Sequence, residues 1–229
     1  MARTRTLVLL RGDVRARVDA MSTDAFVTDS DLTEWLNQEW AELYDILIGG
    51  VDTYYLKVDA FNTTAGTSSY DLPSDYYKTR GVDVKTTTGY FRNAHRFNFE
   101  QRNDYPITGW SWPDSIQYDI RASKLTFMPS PAGTYAVQHQ YIPSAVRMSA
   151  DSDTIDGVNG WELYVVAGAA MKWALKEDNT ELASMLANEK AALRARITSV
   201  SRDRDSGEAP KVRVVRGRQS NNVRWRTRW

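Results

Sequence analysis

The hydrophobic period of this 229-residue chain changes twice, from helical to alternating and back to helical. That switch constrains the fold most, because a segment patterned at 3.6 cannot bury one face as a strand, nor one patterned at 2 as a helix. Near the N-terminus Leu7, Leu10, Val14, Val18 and Met21 recur at threes and fours. This predicts a helix over about 4–20, with Arg11, Arg15 and Arg17 mostly on its other side. The stretch "VTDSDLTEWLNQEWAELYDILIGG" predicts a second helix over about 29–48. Thr28, Asp29 and Ser30 offer cap oxygens, and Asp31 and Glu34 put negative charge in the first turn. Leu32, Trp35, Leu36, Trp40, Leu43, Tyr44 and Leu47 form its apolar stripe. Gly49-Gly50 is expected to end it through a residue that tolerates positive φ.

From about 53 to 150 the chain reads differently. "TYYLKVDAFNTT", "GTSSYDLP", "TRGVDVKTTTGY", "SIQYDIRASKLTFMPSP" and "GTYAVQHQYIPS" are rich in Tyr, Val, Thr and Phe, and Gly or Pro punctuates them. This predicts an antiparallel β module, with a tight hairpin around Ala122-Ser123 and a short helix near Phe97–Arg102. Helical periodicity returns after "DSDTIDGVNG". Residues about 159–177 are apolar nearly all round, through Trp161, Leu163, Tyr164, Val165, Val166, Ala167, Met171, Trp173 and Leu175, as expected of a central helix. A last helix, about 179–205 and capped by Thr180, has Leu182, Leu186, Leu193, Ile197 and Val200 as its stripe.

The expected fold is therefore α+β: a four-helix bundle with an inserted antiparallel β module and an extended C-terminal tail. Residues 1–52 and 151–205 would form the bundle, 53–150 the inserted β-rich module and 206–229 a basic and aromatic arm. Leu32, Trp35, Leu36, Trp40, Leu43, Trp161, Val165, Trp173, Leu186 and Leu193 are the expected bundle core.

With 42% hydrophobic residues, the chain has enough apolar surface for a buried core of this size. Without cysteine it has no disulfide, thiolate zinc site or Cys nucleophile. The apolar run Leu7 to Leu10 is too short for a signal-peptide core. The longest apolar stretch, "LYVVAGAAMKWAL", is broken by Lys172 and falls short of the ~20 residues that span a bilayer. A soluble protein with no membrane partner is expected.

Catalytic chemistry has little footing. His95 and His139 are the two histidines, and neither lies in a site motif. No phosphate-cradling glycine pattern, G-x-S-x-G or H-E-x-x-H occurs. "DSDTIDGVNGWE" places Asp151, Asp153 and Glu162 at positions one, three and twelve of a calcium loop, but Ile155 stands at a ligand position and Gly157 comes one place late. The plainer reading is a polar loop that caps the next helix through Asp156 or Asn159. Asp71 and Asp75 could pair as acid and base, as carboxylates in many proteins could. No enzyme activity and no cofactor are expected.

The last nineteen residues, "KVRVVRGRQSNNVRWRTRW", hold seven Lys or Arg, two Trp and no acid, so the first 210 carry the balancing minus seven. Lys211 and Arg213 alternate with Val212 and Val214, followed by Val215, Arg216 and Arg218. Farther on, Val223, Trp225, Thr227 and Trp229 alternate with Arg224, Arg226 and Arg228. Alternation of this kind suits strand addition to a sheet edge, where backbone hydrogen bonds give affinity and alternate side chains specificity. Trp and Arg are also the residue types that dominate interface hot spots. Two other readings remain: a nucleic-acid arm, whose cations meet phosphates while its Trp side chains stack on bases, and a solvated tail with no partner.

Two stretches resemble a known family. "VTDSDLTEWLNQEWAELYDILI" resembles the signature helix of tailed-bacteriophage head-to-tail adaptor proteins, also called connector or head-completion proteins. "TTAGTSSYDLPSDYYKTRGVDV" is similar to that family's strand-turn-strand, with Tyr70-Asp71-Leu72-Pro73 leading through Asp75-Tyr76-Tyr77-Lys78 into a strand. The late helix pair starting near Trp161 also matches, so the resemblance covers most of residues 5–205. It implies a structural virion protein, made in the host bacterial cytoplasm and placed at the capsid vertex. It further implies a ring, usually of twelve copies, that joins the portal protein to a tail protein. Packaged double-stranded DNA would pass through the lumen and be retained with the ring's help. The C-terminal segment would dock on the portal or on a neighbouring subunit. The alternative function is a nucleic-acid-binding accessory protein with a basic arm.

Overall fold

A computed structural model describes residues 5–19, 26–51, 53–101, 112 and 116–201. Four helices, α1 (Leu7–Arg17), α2 (Asp29–Gly50), α3 (Glu162–Lys176) and α4 (Thr180–Ser201), flank eight strands. The strands are β1 (Lys57–Asn62), β2 (Ser69–Asp71), β3 (Tyr76–Lys85), β4 (Phe91–Asn93), β5 (His95–Arg96), β6 (Gln117–Arg121), β7 (Lys124–Met128) and β8 (Ala136–Pro143). The fold is α+β, with one sheet ordered β1-β8-β3-β4 and another ordered β2-β7-β6-β5.

Local chemistry sets several boundaries. Thr28 caps α2: its hydroxyl accepts from the Asp31 amide at 3.2 Å, and the Asp31 carboxylate accepts from the Thr28 amide at 3.0 Å. This reciprocal box satisfies two amides that a helix start otherwise leaves open. The hairpin at Ala122-Ser123 joins β6 to β7 in register Arg121↔Lys124, and Ala122 takes a φ of 52°.

Other expectations are corrected. The first helix spans Leu7–Arg17 rather than 4–20. Gly49-Gly50 does not end α2: the helix runs through Gly50 and caps at Val51 with an extended φ of −133°. Gly50 is needed for another reason, since a Cβ there would meet Ser201 at the end of α4. Thr180 is the first residue of α4, and the cap is Asn179, whose side-chain oxygen accepts from the Leu182 amide at 3.1 Å. Neither Asp156 nor Asn159 caps α3. Trp161 stands at that position without a side-chain cap bond, and Asp156 accepts from the Tyr55 hydroxyl instead. The β region is not wholly antiparallel, because β5 pairs parallel with β6. A 3-10 turn, Phe99–Gln101, takes the place of the expected short helix. Leu175 and Val200, placed on apolar stripes by period, are 56% and 44% exposed.

The described residues hold two hydrophobic clusters. One gathers Leu7, Leu10 and Val14 of α1, the stripe of α2, most of α3, and Ala183, Leu186 and Ile197 of α4. The other lies between the sheets, where Val82, Val84 and Val137 of the first meet Leu125 and Phe127 of the second, joined by Trp112. Ile142, near the end of β8, belongs to the helical cluster, so this strand feeds both.

Candidate interaction surfaces

The segment after β8 runs along α2 and is tied to it by one stripe of side chains. Tyr44 donates its hydroxyl to the Pro143 carbonyl at 2.8 Å, and the Trp40 indole donates to the Val146 carbonyl at 3.1 Å. Asn37 donates to the Met148 carbonyl at 2.9 Å and accepts from the Met148 amide at 2.8 Å. Arg147 pairs with Glu34. Positions 44, 40, 37 and 34 share one helix face. The same face therefore buries apolar bodies and presents polar ends to an irregular backbone that would otherwise leave its groups open. Burial raises the Tyr44 phenol to about 12, and Asp45 adds to this.

A second polar cluster joins α2, α3 and α4. Glu39, 3% exposed, ion-pairs with Lys172 at 2.9 Å and Lys190 at 2.6 Å. Lys190 also reaches Glu42 at 2.7 Å and lies 5.0 Å from the centre of the Tyr164 ring. Burial works against the charge on Lys190, but bonds to Glu39 and Glu42 outweigh it and hold the ammonium above its usual range. Burial likewise opposes the Glu42 charge, yet Lys190 and Tyr164 keep that carboxyl below its ordinary value. Gly168 makes room for this cluster, because a methyl group there would overlap the Glu39 carboxylate.

The sequence-derived candidates sit as follows. Leu32, Leu36, Leu43, Val165 and Trp173 are fully buried, with Trp40, Trp161 and Leu186 nearly so. Trp35 and Leu193 are partly buried against the same cluster. Arg11, Arg15 and Arg17 do not form a solvated face. Arg11 pairs with Asp29 at 3.3 Å and with Asp151, Arg15 with Asp29 at 2.6 Å, and Arg17 with Glu189. The carboxylates of the supposed calcium loop diverge. Asp153 accepts from the Ser149 and Ala150 amides at 2.7 and 2.8 Å, Asp151 serves Arg11 and Asp156 serves Tyr55. Among the described residues no cluster of three or more His, Asp or Glu side chains is placed to hold a metal ion. Asp71, at the end of β2, pairs with Lys124, and Asp75, in the turn before β3, pairs with Lys57. His95 is exposed on β5, whereas His139 is buried in β8. The arm residues, Lys211 to Trp229, lie outside the described residues.

Sequence reasoning missed the Glu39 cluster and the segment tied to α2. Two signals pointed to the first: an acid on the apolar stripe between Leu36 and Leu43, and a glycine inside the helical run "VVAGAAMKW". Nothing local pointed to the second, since Asn37 and Met148 are 111 residues apart.

On the described surface many charged side chains pair across elements, and no described helix is long and apolar enough to cross a membrane. This is an α+β scaffold whose polar groups lock its layers together. The family model for the SU10 adaptor protein matches residues 5–217, and the chain belongs to that family of phage head-to-tail adaptors. It is thus a structural adaptor of a phage virion. A search of curated proteins found no match.

Proposed function

We propose that this chain joins the portal to the tail as the subunit of a twelve-membered ring at the capsid vertex, without enzymatic activity, and that packaged DNA passes through the ring and is retained with its help. The match to the adaptor family over residues 5–217 carries this reading. The four helices act as one bundle that packs against neighbouring subunits. The β-rich part faces the next tail component, a role favoured by the exposed aromatics Tyr90, Phe91 and Phe99. The arm from Lys211 grips the portal through its alternating cationic and apolar residues. The matched region reaches 217 and so takes in the first alternating segment.

Co-sedimentation with the portal ring at physiological salt tests this. Full-length protein is expected to sediment with the portal at matching stoichiometry, and a chain ending at Pro210 is expected to stay behind while keeping its helicity and melting temperature. Failure of both chains to bind would overturn the reading. The seven cations and two Trp of the arm favour one rival, an arm that binds nucleic acid. Its affinity would collapse between ~50 and ~200 mM salt, whereas a strand contact anchored by Trp would persist.

A further inference from the structure

Four strands bound the two sheets, and they are unequal. β2 and β4 have three residues each and β5 has two, but β1 has six. Six residues is the usual length of a strand, so β1 is the edge with the most room for a partner strand. Among the described residues only β8 pairs with β1, and none of them forms a strand on its other side.

The register shows which groups face that side. The Thr63 amide donates to the Tyr135 carbonyl at 2.9 Å, just beyond the β1–β8 ladder. Bonding alternates along an antiparallel pair. Phe61↔Val137, Asp59↔His139 and Lys57↔Tyr141 are therefore the bonded pairs. Val58, Ala60 and Asn62 turn their N–H and C=O groups outward. β8 agrees from its other side: Val82, opposite His139, gives its carbonyl to Ala94 of the β4 side at 2.7 Å, which leaves His139 to bond β1. An open edge of this length is an aggregation hazard that folded proteins cover or blunt, and here Val58 is 54% exposed.

We propose that in the free protein the segment Lys211–Arg216 of the same chain covers this edge as an added strand beside β1. The proposal rests on the strand-forming arm of the proposed function and names where that arm lies before a portal is met. The segment has six residues and the edge has six. Lys211 and Arg213 alternate with Val212 and Val214, and the segment brings cations to a body that carries the balancing negative charge. It also has the reach. Ser201, the last residue of α4, packs on Gly50, and β1 begins at Lys57, at most about 25 Å of chain farther on. The connecting residues 202–210 span up to about 35 Å. Entry from the Lys57 end makes the added strand parallel to β1. A tether this short gives an effective concentration in the millimolar range, which favours the arm of the same chain over that of another copy.

Amide exchange on portal-free protein tests the proposal by comparing the full-length chain with one ending at Pro210. The Val58, Ala60 and Asn62 amides are expected to exchange roughly tenfold faster in the truncated chain, with Asp59 and Phe61 unchanged. The full-length protection should not depend on protein concentration. Ala60→Pro removes an outward N–H at an edge position that tolerates proline and should expose the arm to protease. Should that variant fold poorly, proline at both Val212 and Arg213 blocks either register of the arm and leaves the body intact. Equal exchange in the two chains overturns the proposal, and so does protection that appears only as concentration rises, which would place the arm on a second copy. Portal binding without edge protection would sink this inference alone. Edge protection without portal binding would sink only the proposed function.

Discussion

Glu39 in the helical layer and His139 between its tyrosines in the first sheet are almost equally buried, at 3% and 1% exposure, yet their surroundings treat charge in opposite ways. Glu39 is met by two ammonium groups from two other helices. His139 lies 5.9 Å from the Tyr76 ring and 5.5 Å from the Tyr141 ring, and its Nε2 contacts the Thr79 hydroxyl at 3.0 Å. Among the described residues its Nδ1 has no partner. The helical layer thus buries charge as matched pairs that fix how three helices sit together, whereas the sheet buries a titratable ring in its neutral form. Removing a partner should damage the first arrangement, and lowering the pH should disturb the second. The two can therefore be broken separately.

The sharpest way to break the helical side is Gly168→Ala. Alanine is the better helix former by about 1 kcal/mol, so an effect of propensity alone would stabilise the protein. We expect the opposite, a loss of roughly 1–3 kcal/mol from overpacking, because the new methyl displaces a carboxylate that two lysines hold. Urea unfolding measures it. A more stable Gly168→Ala protein would show that Glu39 moves freely and that the cluster fixes nothing. Glu39→Gln should cost less than the ~3–5 kcal/mol typical of breaking a fully enclosed pair, since Lys172 and Lys190 keep 27% and 16% of their side-chain exposure.

The two layers communicate through the segment tied to α2, so the next test weakens that tie. Asn37 makes two hydrogen bonds to the backbone of Met148, and both are buried. Asn37→Ala leaves a buried carbonyl and amide without partners, at about 1–3 kcal/mol. If the helical layer and the sheets unfold as one unit, calorimetry should show a single transition for the wild type and a broadened or split one for the variant. A single sharp transition at a merely lower temperature would mean that Tyr44 and Trp40 suffice to couple them.

Much of this organisation was legible in the sequence wherever the cause is local. Period located all four helices, Thr28 was among the residues that marked the start of α2, and the expected tight hairpin formed at Ala122-Ser123. What stayed hidden depends on residues far apart in the chain. The ends of α3 and α4 were misassigned because several polar residues could cap and tertiary contacts chose among them: Tyr55 recruited Asp156, and Asn179 rather than Thr180 faced the open amides. The division into two sheets and the parallel β5–β6 pair follow from long-range pairing that alternation cannot specify. Among the candidate site residues, the apolar stripes were readable from spacing. The Glu39 cluster was not, although an acid on a buried stripe and a glycine within a helix were both visible.

The smallest expected effect belongs to His139, and its sign follows from linkage. Burial pushes the imidazole below its ordinary value, and nearby Asp59 pulls back less strongly. The unfolded chain then binds a proton near pH 6.5 that the folded chain refuses, so stability is complete above about 6.5 and declines as pH falls below it. Each unit of that decline costs at most about 1.4 kcal/mol. The carboxylates act in a different window. Asp29 beside Arg15, and Glu42 held down by Lys190 and Tyr164, are kept below the usual carboxylate range, so their contribution is present above about pH 4 and is lost only in stronger acid. Between about pH 5 and 6.5 the slope of stability should therefore come from the sheet. His139→Phe keeps a ring between Tyr76 and Tyr141 and removes the titration, while Thr79 retains its bond to the Tyr76 hydroxyl at 3.1 Å. Urea midpoints for this variant at pH 5, 6 and 7 should coincide where those of the wild type rise. A slope that survives the substitution would move the pH sensitivity to the helical layer and remove the contrast between the two regions.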